Sequence, residues 1–507
     1  MTWASIFIIL TVIIVFLSYC VLKINKQYWW KLNIVGPNPH FLFGNYKDVI
    51  LRRITSFELQ EDLYNSYPKE KVVGLYRFNT PILLLRDLDI IQHVFISNFD
   101  SFVNRGMEFG DKFATNLASS NDETWRILRA QFSPLFTSGK LKNMLYLVER
   151  CGNKMLEQLD TEISMNCDIQ KITNSFTMQA ISSCAFGIDM NEPDKRLTRI
   201  CKLIFRNYYA LELFYICPNL IKKLCLDTMP SEVTNYFCNL VSFVKEQRNG
   251  KPFNRKDFMD LLLEMKNLSE LKSGQKHKDK YGKLKVLRIT DDLIAAQAMI
   301  FFAAGFESTA NTLSYLLYEI AKHQDIQEKL LKEINQTLDN NKGQLSFDTL
   351  KQLSYMNQVY HETLRLYPVI DLQRKVSTSF CQIPGVDITL KRDDYVSVPV
   401  RGIHYDEKYY PDPHRFDPDR FLPENIKSRH PCAYMPFGLG PRHCIGAQFG
   451  KIQMQIFLVK FLACYKVEPA VDAKKFTYDP MKVTLSTKDG VYLNIIRRNA
   501  RITNTNE

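Results

Sequence analysis

A chain of 507 residues with 46% hydrophobic and 12% aromatic side chains can bury a large core, so its composition excludes a disordered protein. Basic residues (66) exceed acidic ones (54), but they are spread along the chain without a zinc-type or aromatic-glycine motif, so we expect no nucleic-acid partner. The 12 cysteines are scattered singly, which is typical of buried thiols in a reducing compartment rather than of a disulfide framework.

The N-terminal segment is the first predicted element. Residues 3–22 carry no charge, and a helix of about 20 residues spans the roughly 30 Å of a bilayer core. We therefore predict a transmembrane anchor over residues 1–22. A cleaved signal peptide is the alternative, but the segment lacks a basic start and a small-residue cleavage site before Lys23. Because Lys23, Lys26 and Lys31 follow the apolar run, the rest of the chain should be cytosolic, with Trp29 and Trp30 at the interface.

The next stretch, residues 23–45, is basic and rich in proline and glycine. Gly36-Pro37-Asn38-Pro39 and Gly44-Asn45 interrupt regular structure, which predicts a hinge. The hinge is either a stiff linker or a device that sets the tilt of the body on the membrane. No further linker divides residues 46–507, so we expect one large domain.

Periodicity within the body predicts a mainly helical fold with small β-sheets. Helical patterns cover residues 121–132, 142–160, 291–323 and 445–464. Extended patterns predict one hairpin from 72–78 and 82–85, an extended region over 386–400, and another hairpin from Lys482–Ser486 and Val491–Ile495 across Asp489-Gly490. The polar stretch 266–288 is predicted to be a solvated loop.

The most informative stretch runs from Phe437 to Gly446 and reads FGLGPRHCIG. Its glycines and proline make a loop that a flat ligand can approach closely, and Cys444 falls just before a pattern typical of an amphipathic helix. A helix N-terminus, nearby amide donors and Arg442 would favour a thiolate at Cys444. Glycine-rich turns before helices are common, and Cys432 is a competing thiol, but Cys432 lacks such a loop.

This loop resembles the proximal haem loop of the cytochrome P-450 superfamily at all its fixed positions, namely Phe437, Gly440, Arg442, Cys444 and Gly446. The resemblance implies the cytochrome P-450 fold and a haem b whose iron has Cys444 as axial ligand. It covers almost the whole chain. Residues 136–140 (FTSGK) and 409–411 (YYP) are similar to the microsomal insect members that oxidise foreign chemicals.

Glu362 and Arg365, three apart, share one helix face. Alone, such a pair usually means an exposed ion pair. The resemblance implies that Arg420, within the segment 416–421, joins them in a buried network that supports the haem loop.

The predicted helix over 291–323 carries Gly305 near its middle, where a glycine costs about 1 kcal/mol relative to alanine. Close packing is one reason for it. The resemblance gives another, in which this helix crosses the distal haem face, Gly305 makes room for oxygen, and Glu307, Ser308 and Thr309 relay protons. Ser308 stands where the family usually has threonine, but its hydroxyl offers the same hydrogen-bonding groups.

Trp125 and Arg129 share a helix face and resemble the family's pair at a haem propionate. The resemblance implies that Arg374 and Arg442 are further propionate partners. Each of these arginines, taken alone, is more typical of a protein surface.

The function that the resemblance implies is a membrane-bound monooxygenase of the endoplasmic reticulum, which inserts one oxygen atom from O2 into lipophilic small molecules, either foreign compounds or endogenous lipids and hormones. The sequence has no dinucleotide fingerprint or P-loop, so electrons would come from NADPH through a cytochrome P-450 reductase, with cytochrome b5 as a second candidate donor. Arg126, Lys140 and Lys451 are candidate reductase contacts, and residues 102–116, 303–309, 369–372 and 485–487 are candidate substrate contacts. The alternatives are a haem-thiolate isomerase or dehydratase of peroxides, and a non-catalytic haem-binding protein.

Overall fold

The computed structural model describes residues 26–106, 113–162, 165–189, 195–204, 212, 229–252, 257–267, 270–272, 286–376, 380–470 and 477–498. The predicted anchor, residues 1–22, lies outside the described residues. Among those described, the helix Asp291–Lys322 is long and apolar enough to cross a membrane, but most of it is buried inside the fold. It is therefore a core helix.

Helices make up most of the described chain, which confirms the prediction of a mainly helical fold. In chain order they are α1 (Tyr28–Lys31), α2 (Lys47–Ile50), α3 (Ser56–Ser66), α4 (Leu88–Gln92), α5 (Asp122–Phe132), α6 (Ser138–Glu162), α7 (Ile169–Phe186), α8 (Lys195–Ile204), α9 (Ser231–Gln247), α10 (Phe258–Asn267), α11 (Asp291–Lys322), α12 (Gln324–Asn340), α13 (Phe347–Gln352), α14 (Ser354–Leu366), α15 (Val400–His404), α16 (Pro423–Lys427) and α17 (Ala447–Cys464). Short 3-10 or π turns lie at His93–Ser97, Phe99–Ser101, Ser133–Phe136, Pro418–Phe421, Pro431–Ala433 and Gly440–Arg442.

The described strands form four small sheets. Their bounds are β1 (Val72–Arg77), β2 (Thr80–Leu85), β3 (Cys167–Asp168), β4 (Glu270–Lys272), β5 (Val286–Arg288), β6 (Leu372–Lys375), β7 (Phe380–Ile383), β8 (Ile388–Lys391), β9 (Tyr395–Val398), β10 (Tyr465–Pro469) and β11 (Tyr492–Arg497). One sheet has the order β1-β2-β9-β6, a second β10-β11-β3, and the others pair β4 with β5 and β7 with β8. The first hairpin is confirmed, with Val72 opposite Leu85.

The central helix α11 starts where the sequence supplies a cap and ends beside a basic residue. The Thr290 side chain accepts a hydrogen bond from the Leu293 N–H, and Asp291 and Asp292 lie in the first turn, where carboxylates interact favourably with the helix dipole. Lys322 occupies the last turn. Helix α11 packs along α7, is buried over most of its length and contacts several of the other helices.

The predicted hairpin of Lys482–Ser486 with Val491–Ile495 is wrong. Strand β11 pairs instead with β10, where Val467 lies opposite Ile495, and with β3. Residues 477–488 fold back on themselves, since the Asp479 N–H donates to the Ser486 carbonyl at 2.8 Å and Tyr478 bridges Thr487. The apolar residues of β11 are buried against a distant strand, which a local turn signal cannot reveal.

Two further expectations need correction. The stretch 266–288 is not wholly a solvated loop, because its described part contains the end of α10 and the paired strands β4 and β5. The helix after Cys444 is not amphipathic: α17 is buried on nearly all sides from Ile452 to Leu462.

The described part of the predicted hinge, residues 26–45, is bonded to β1. The Gly74 N–H donates to the Val35 carbonyl at 2.9 Å, and the Asn45 N–H to the Tyr76 carbonyl at 2.7 Å. Trp29 is 2% exposed and its indole N–H donates to the Leu75 carbonyl, so Trp29 is not at a membrane interface. Trp30 is 76% exposed. This stretch is therefore fixed to the rest of the fold, with Trp29 buried and Trp30 exposed on the surface.

Candidate active site

The loop before Cys444 has a conformation that requires glycine. Gly438 and Gly440 have φ of +76° and +66°, values that favour glycine, and a Cβ on Gly440 would lie 1.8 Å from the Phe95 carbonyl oxygen. The Cys444 N–H donates to the Phe437 carbonyl at 2.8 Å and closes the loop. Gly446 has an ordinary backbone, and a Cβ there would meet only Phe136 at 3.8 Å, so the fold alone does not require this glycine.

Cys444 precedes α17; many other residues surround it, but part of its surface is left uncovered. Surrounding protein raises the pKa of this thiol, while the Gly446 amide, Arg105, Arg129 and the Ala447 amide lower it in part. The effect of Arg442 on the thiolate stays a prediction. Its guanidinium donates hydrogen bonds to the carbonyls of Val103, Ala118 and Ser120.

Four arginines converge beside this loop: Arg105, Arg129, Arg374 and Arg442. Burial lowers the pKa of Arg442, and the positive charges of Arg105, Arg374 and Arg129 lower it further. Arg129 donates to the His443 carbonyl at 3.0 Å and Arg105 to the Arg442 carbonyl at 3.2 Å. Such a cluster of like charges is destabilising unless anions bind to it.

The geometry of these arginines fits a dianion. The Nε atoms of Arg374 and Arg442 are buried and make no hydrogen bond among the described residues. The Arg442 guanidinium lies 4.8 Å from the Trp125 ring, and Trp125 itself is 3% exposed. The residues present therefore fit a haem group, with a thiol for the iron and buried guanidinium donors for two propionates.

Arg105 is the member of this cluster that the sequence did not single out. It stands in Asn104-Arg105-Gly106 without a pattern that separates it from a surface arginine. Only the tertiary structure brings it to Cys444 and Arg442, more than 300 residues further along the chain.

Glu362, Arg365 and Arg420 come together as expected. Arg365 donates to both carboxylate oxygens of Glu362, at 2.7 and 2.8 Å, and both side chains are fully buried. Arg420 Nε lies 3.5 Å from Glu362 Oε1. Burial raises the pKa of Glu362, and the hydrogen bond and charge of Arg365 oppose this shift. The network fixes α14 to the segment that leads into the Cys444 loop.

His404 links this network to the loop. Its ring accepts a hydrogen bond from the Met435 N–H at Nε2, which leaves Nδ1 to donate to the Arg365 carbonyl at 3.1 Å. Burial lowers the pKa of His404 to about 3, with the Arg365 charge acting in the same direction. A neutral histidine thus joins the network to a residue two positions before Phe437.

The distal residues lie on α11. Ala304 is exposed and Ser308 is half-buried, so this side of the helix faces open space, and the Ser308 hydroxyl donates to the Ala304 carbonyl at 2.6 Å. Thr309 is buried, with Oγ1 toward Gly450 of α17. A Cβ on Gly305 would lie 2.7 Å from Ile181 Cδ1, so close packing accounts for this glycine.

Glu307 is paired with a residue that the sequence did not suggest. Its Oε1 lies 2.7 Å from Lys482 Nζ, and its Oε2 is buried without a hydrogen bond from the described residues. Burial raises the pKa of Glu307, while Lys482 lowers it. The segment 477–488 is in turn mounted on α11, because Tyr315 and Asn311 donate to the Leu485 carbonyl.

Among the candidate substrate contacts, residues 107–112 lie outside the described residues. Two of the remaining regions meet directly, since the Leu485 N–H donates to the Val369 carbonyl at 3.0 Å. Of the candidate reductase contacts, Lys140 is exposed, Lys451 is half-buried, and Arg126 is occupied by Asp100 and Glu123.

The chain is similar to known proteins over almost its whole length. The family model described as Cytochrome P450 matches residues 35–494. The chain is 42% identical to cytochrome P450 6B7 of Helicoverpa armigera over 97% of its length and 98% of the relative's. It is 43% identical to cytochrome P450 6B1 of Papilio polyxenes, over 93% and 95% of the two chains. It is 33% identical to the probable cytochrome P450 6a14 of Drosophila melanogaster, again over 93% and 95%.

Proposed function

The chain belongs to the cytochrome P450 family and is a monooxygenase, and from this premise we propose that it oxidises lipophilic foreign compounds or endogenous lipids and hormones at the endoplasmic reticulum membrane. Cys444 would be the axial ligand of haem b. The observation that carries the proposal is the exposed Cys444 beside Arg105, Arg129, Arg374 and Arg442, four buried or half-buried arginines that form no ion pair with a carboxylate of the described residues.

Haem iron with a thiolate ligand supplies the activation of O2 in such an enzyme. The chain's own residues hold and orient the group. Arg374 and Arg442 would donate their unpartnered Nε–H groups to propionate oxygens, with Arg129 and Arg105 adding positive charge and Trp125 packing against Arg442. Gly440 lets the loop approach the Phe95 backbone closely, and this contact helps to fix the position of Cys444.

On the distal side, Ser308 and Glu307 are the proposed proton-handling residues. The Ser308 hydroxyl is half-exposed on the open side of α11, where it can receive a proton from water and pass on its own. Glu307 directly precedes Ser308 in the sequence, and its buried carboxyl group is paired with Lys482. Thr309 is the third candidate; it is buried, and its Oγ1 lies toward Gly450 of α17.

The test of the proposal is incorporation of oxygen-18 from O2 into a panel of lipophilic probes, with the full-length protein, a cytochrome P-450 reductase and NADPH. We expect labelled product only when all three are present. Rearrangement of an organic hydroperoxide without NADPH would instead support a peroxide isomerase or dehydratase. Haem binding with neither reaction would support a non-catalytic protein.

Electron delivery is proposed to use a basic surface that includes Lys140. This side chain is exposed beside the start of α6, whereas Arg126 is held by Asp100 and Glu123. Lys140→Glu should slow the reduction of the haem by the reductase and weaken the salt dependence of that rate. Lys69→Glu, an exposed lysine before β1, is the matched control. Equal reduction rates for the two variants would contradict this contact.

Membrane attachment is proposed to use residues 1–22 together with exposed apolar side chains that follow them. Trp30, Phe41 and Leu42 are 76%, 40% and 52% exposed. Deletion of residues 1–22 should move most of the protein from the membrane to the soluble fraction, and Trp30→Ser in the deleted form should release the remainder. Unchanged sedimentation with membranes after both changes would contradict this arrangement.

A further inference from the structure

The side-chain amide of Gln297, which lies outside the proposed haem site, bonds a backbone segment through both its oxygen and its nitrogen. Gln297 of α11 is fully buried. Its Oε1 accepts from the Leu117 N–H at 3.0 Å, and its Nε2 donates to the Thr115 carbonyl at 2.8 Å and to the Leu293 carbonyl at 3.3 Å. All of the hydrogen-bonding groups of this amide but one acceptor lone pair are thus used.

The segment it holds, residues 113–120, has neither helix nor strand of its own. Its shape comes from Asn116, which is also fully buried: Nδ2 donates to the Phe113 carbonyl, and Oδ1 accepts from the N–H groups of Ala118 and Ser119 at 2.9 and 3.0 Å. A loop without a ladder of hydrogen bonds depends on such side chains for its position.

The far end of the segment is bonded to the loop of Cys444. Arg442 Nη2 donates to the carbonyls of Ala118 and Ser120, at 3.1 and 2.7 Å. The segment therefore bridges α11 and the Cys444 loop, the two elements between which a haem would lie. Gln297 is about 10 Å along α11 from Ala304, an exposed position near the middle of that helix.

We propose that Gln297 is a positioning residue that sets the ligand selectivity of the proposed haem site, because its hydrogen bonds to Leu117 and Thr115 fix the position of the segment 113–120 relative to α11. This proposal rests on the proposed haem site. Loss of the clamp lets the segment move relative to α11, which changes the room for bulky ligands and leaves the room for small ones unaltered.

The structure supplies a matched control. Gln327 of α12 is also fully buried and makes the same two-sided contact: its Oε1 accepts from the Val467 N–H, and its Nε2 donates to the Val467 carbonyl, both at 2.9 Å. Val467 lies in β10, away from the Cys444 loop. Substitutions at Gln327 and Gln297 remove equivalent hydrogen bonds from the core, so a purely structural role would make them alike.

The experiment compares Gln297→Met and Gln327→Met in the full-length haem protein. Methionine keeps the approximate volume of glutamine and removes its polar groups. The readout is the ratio of the dissociation constants of imidazole and 4-phenylimidazole, two ligands that bind haem iron directly, followed by optical titration. This readout needs no knowledge of the substrate.

We expect Gln297→Met to change that ratio by about tenfold, and Gln327→Met to leave it within about twofold of the parent value. Amide hydrogen exchange of Leu117, Ala118 and Ser119 should accelerate only in Gln297→Met. An unchanged ratio in folded, haem-loaded Gln297→Met, or an equal change in both variants, would overturn the proposal.

A second variant covers the case in which Gln297→Met fails to fold. Asn116→Ser shortens the side chain that shapes the same segment and should change the ratio as well. An unchanged ratio in folded, haem-loaded Asn116→Ser would then overturn the proposal. If Gln297→Met does fold, the double variant should show less than the product of the two single changes. The absence of a haem-thiolate spectrum in the parent protein would instead mean that the proposed function fails, which is a separate outcome.

Discussion

Gly440 is the most tightly constrained residue in the loop before Cys444. Its φ is +66°, and a Cβ would lie 1.8 Å from the Phe95 carbonyl oxygen, so the backbone itself would have to move. Gly440→Ala should lower the free energy of unfolding by about 3 kcal/mol or more and reduce haem retention. The control is Gly139→Ala in α6, where nothing lies within 4 Å and alanine should be neutral or stabilising by up to about 1 kcal/mol. Equal stabilities would contradict the account.

His404 gives a prediction about pH. Its pKa in the fold is lowered to about 3, so the folded state binds fewer protons than the unfolded state between that value and the ordinary 6.5. Its contribution to stability is therefore complete above pH 6.5 and is lost as the pH falls toward 3, up to about 5 kcal/mol in total.

His404→Gln isolates this effect. A glutamine can accept from the Met435 N–H and donate to the Arg365 carbonyl but does not titrate. Unfolding by denaturant between pH 4 and 7 should therefore show a weaker pH dependence in the variant. The same slope in both proteins would mean that His404 is not the group responsible.

At the residue scale, the sequence identified the candidate site residues that belong to a local motif. The thiol, Arg129, Arg374 and Arg442 were found because each belongs to a recognisable stretch, whereas Arg105 and Lys482 have no such stretch around them. Their roles depend on contacts between residues far apart in the chain. The three backbone carbonyls that the Arg442 guanidinium reaches were likewise not predictable from its motif.

At the scale of elements, the segment 477–488 is joined to α11 more closely than to its neighbour β11. Lys482 pairs with Glu307, and Asn311 and Tyr315 hold the Leu485 carbonyl. Lys482→Met would leave a buried carboxyl without its cation. It should cost about 3 kcal/mol of stability and raise the share of NADPH electrons that appear as hydrogen peroxide. Lys482→Arg, which keeps the charge, should restore both. Failure of arginine to rescue either would contradict the ion-pair account.

Helices were the elements that the sequence predicted best. Long patterns such as that of α11 extend over many turns, and Thr290 and Lys322 mark their ends. The wrong hairpin shows what local patterns cannot predict. Asp489-Gly490 is a good turn signal, but β11 pairs with β10, which ends well before that turn in the sequence. Strand pairing over such separations is set by burial of the whole sheet, which no short window contains.

At the scale of the whole molecule, the described chain contains a large helical core around α11 and α17 and two smaller cores beside the main sheet. Cys444 lies where the helical core meets the loop that packs on Phe95, a residue of a sheet-side core. Mainly helical architecture was predictable from periodicity. The order β1-β2-β9-β6 was not, because it joins strands that are hundreds of residues apart.

The central claim is that Cys444 ligates haem iron as a thiolate. The most direct measurement is the carbon monoxide difference spectrum of the dithionite-reduced, membrane-bound protein, compared with Cys444→Ser and with Cys432→Ser, a buried thiol in the same region. We predict the red-shifted Soret band that gives the family its name in the parent and in Cys432→Ser, and its loss in Cys444→Ser. A band that survives in haem-loaded Cys444→Ser, or that never appears in the folded, haem-loaded parent, would contradict the claim.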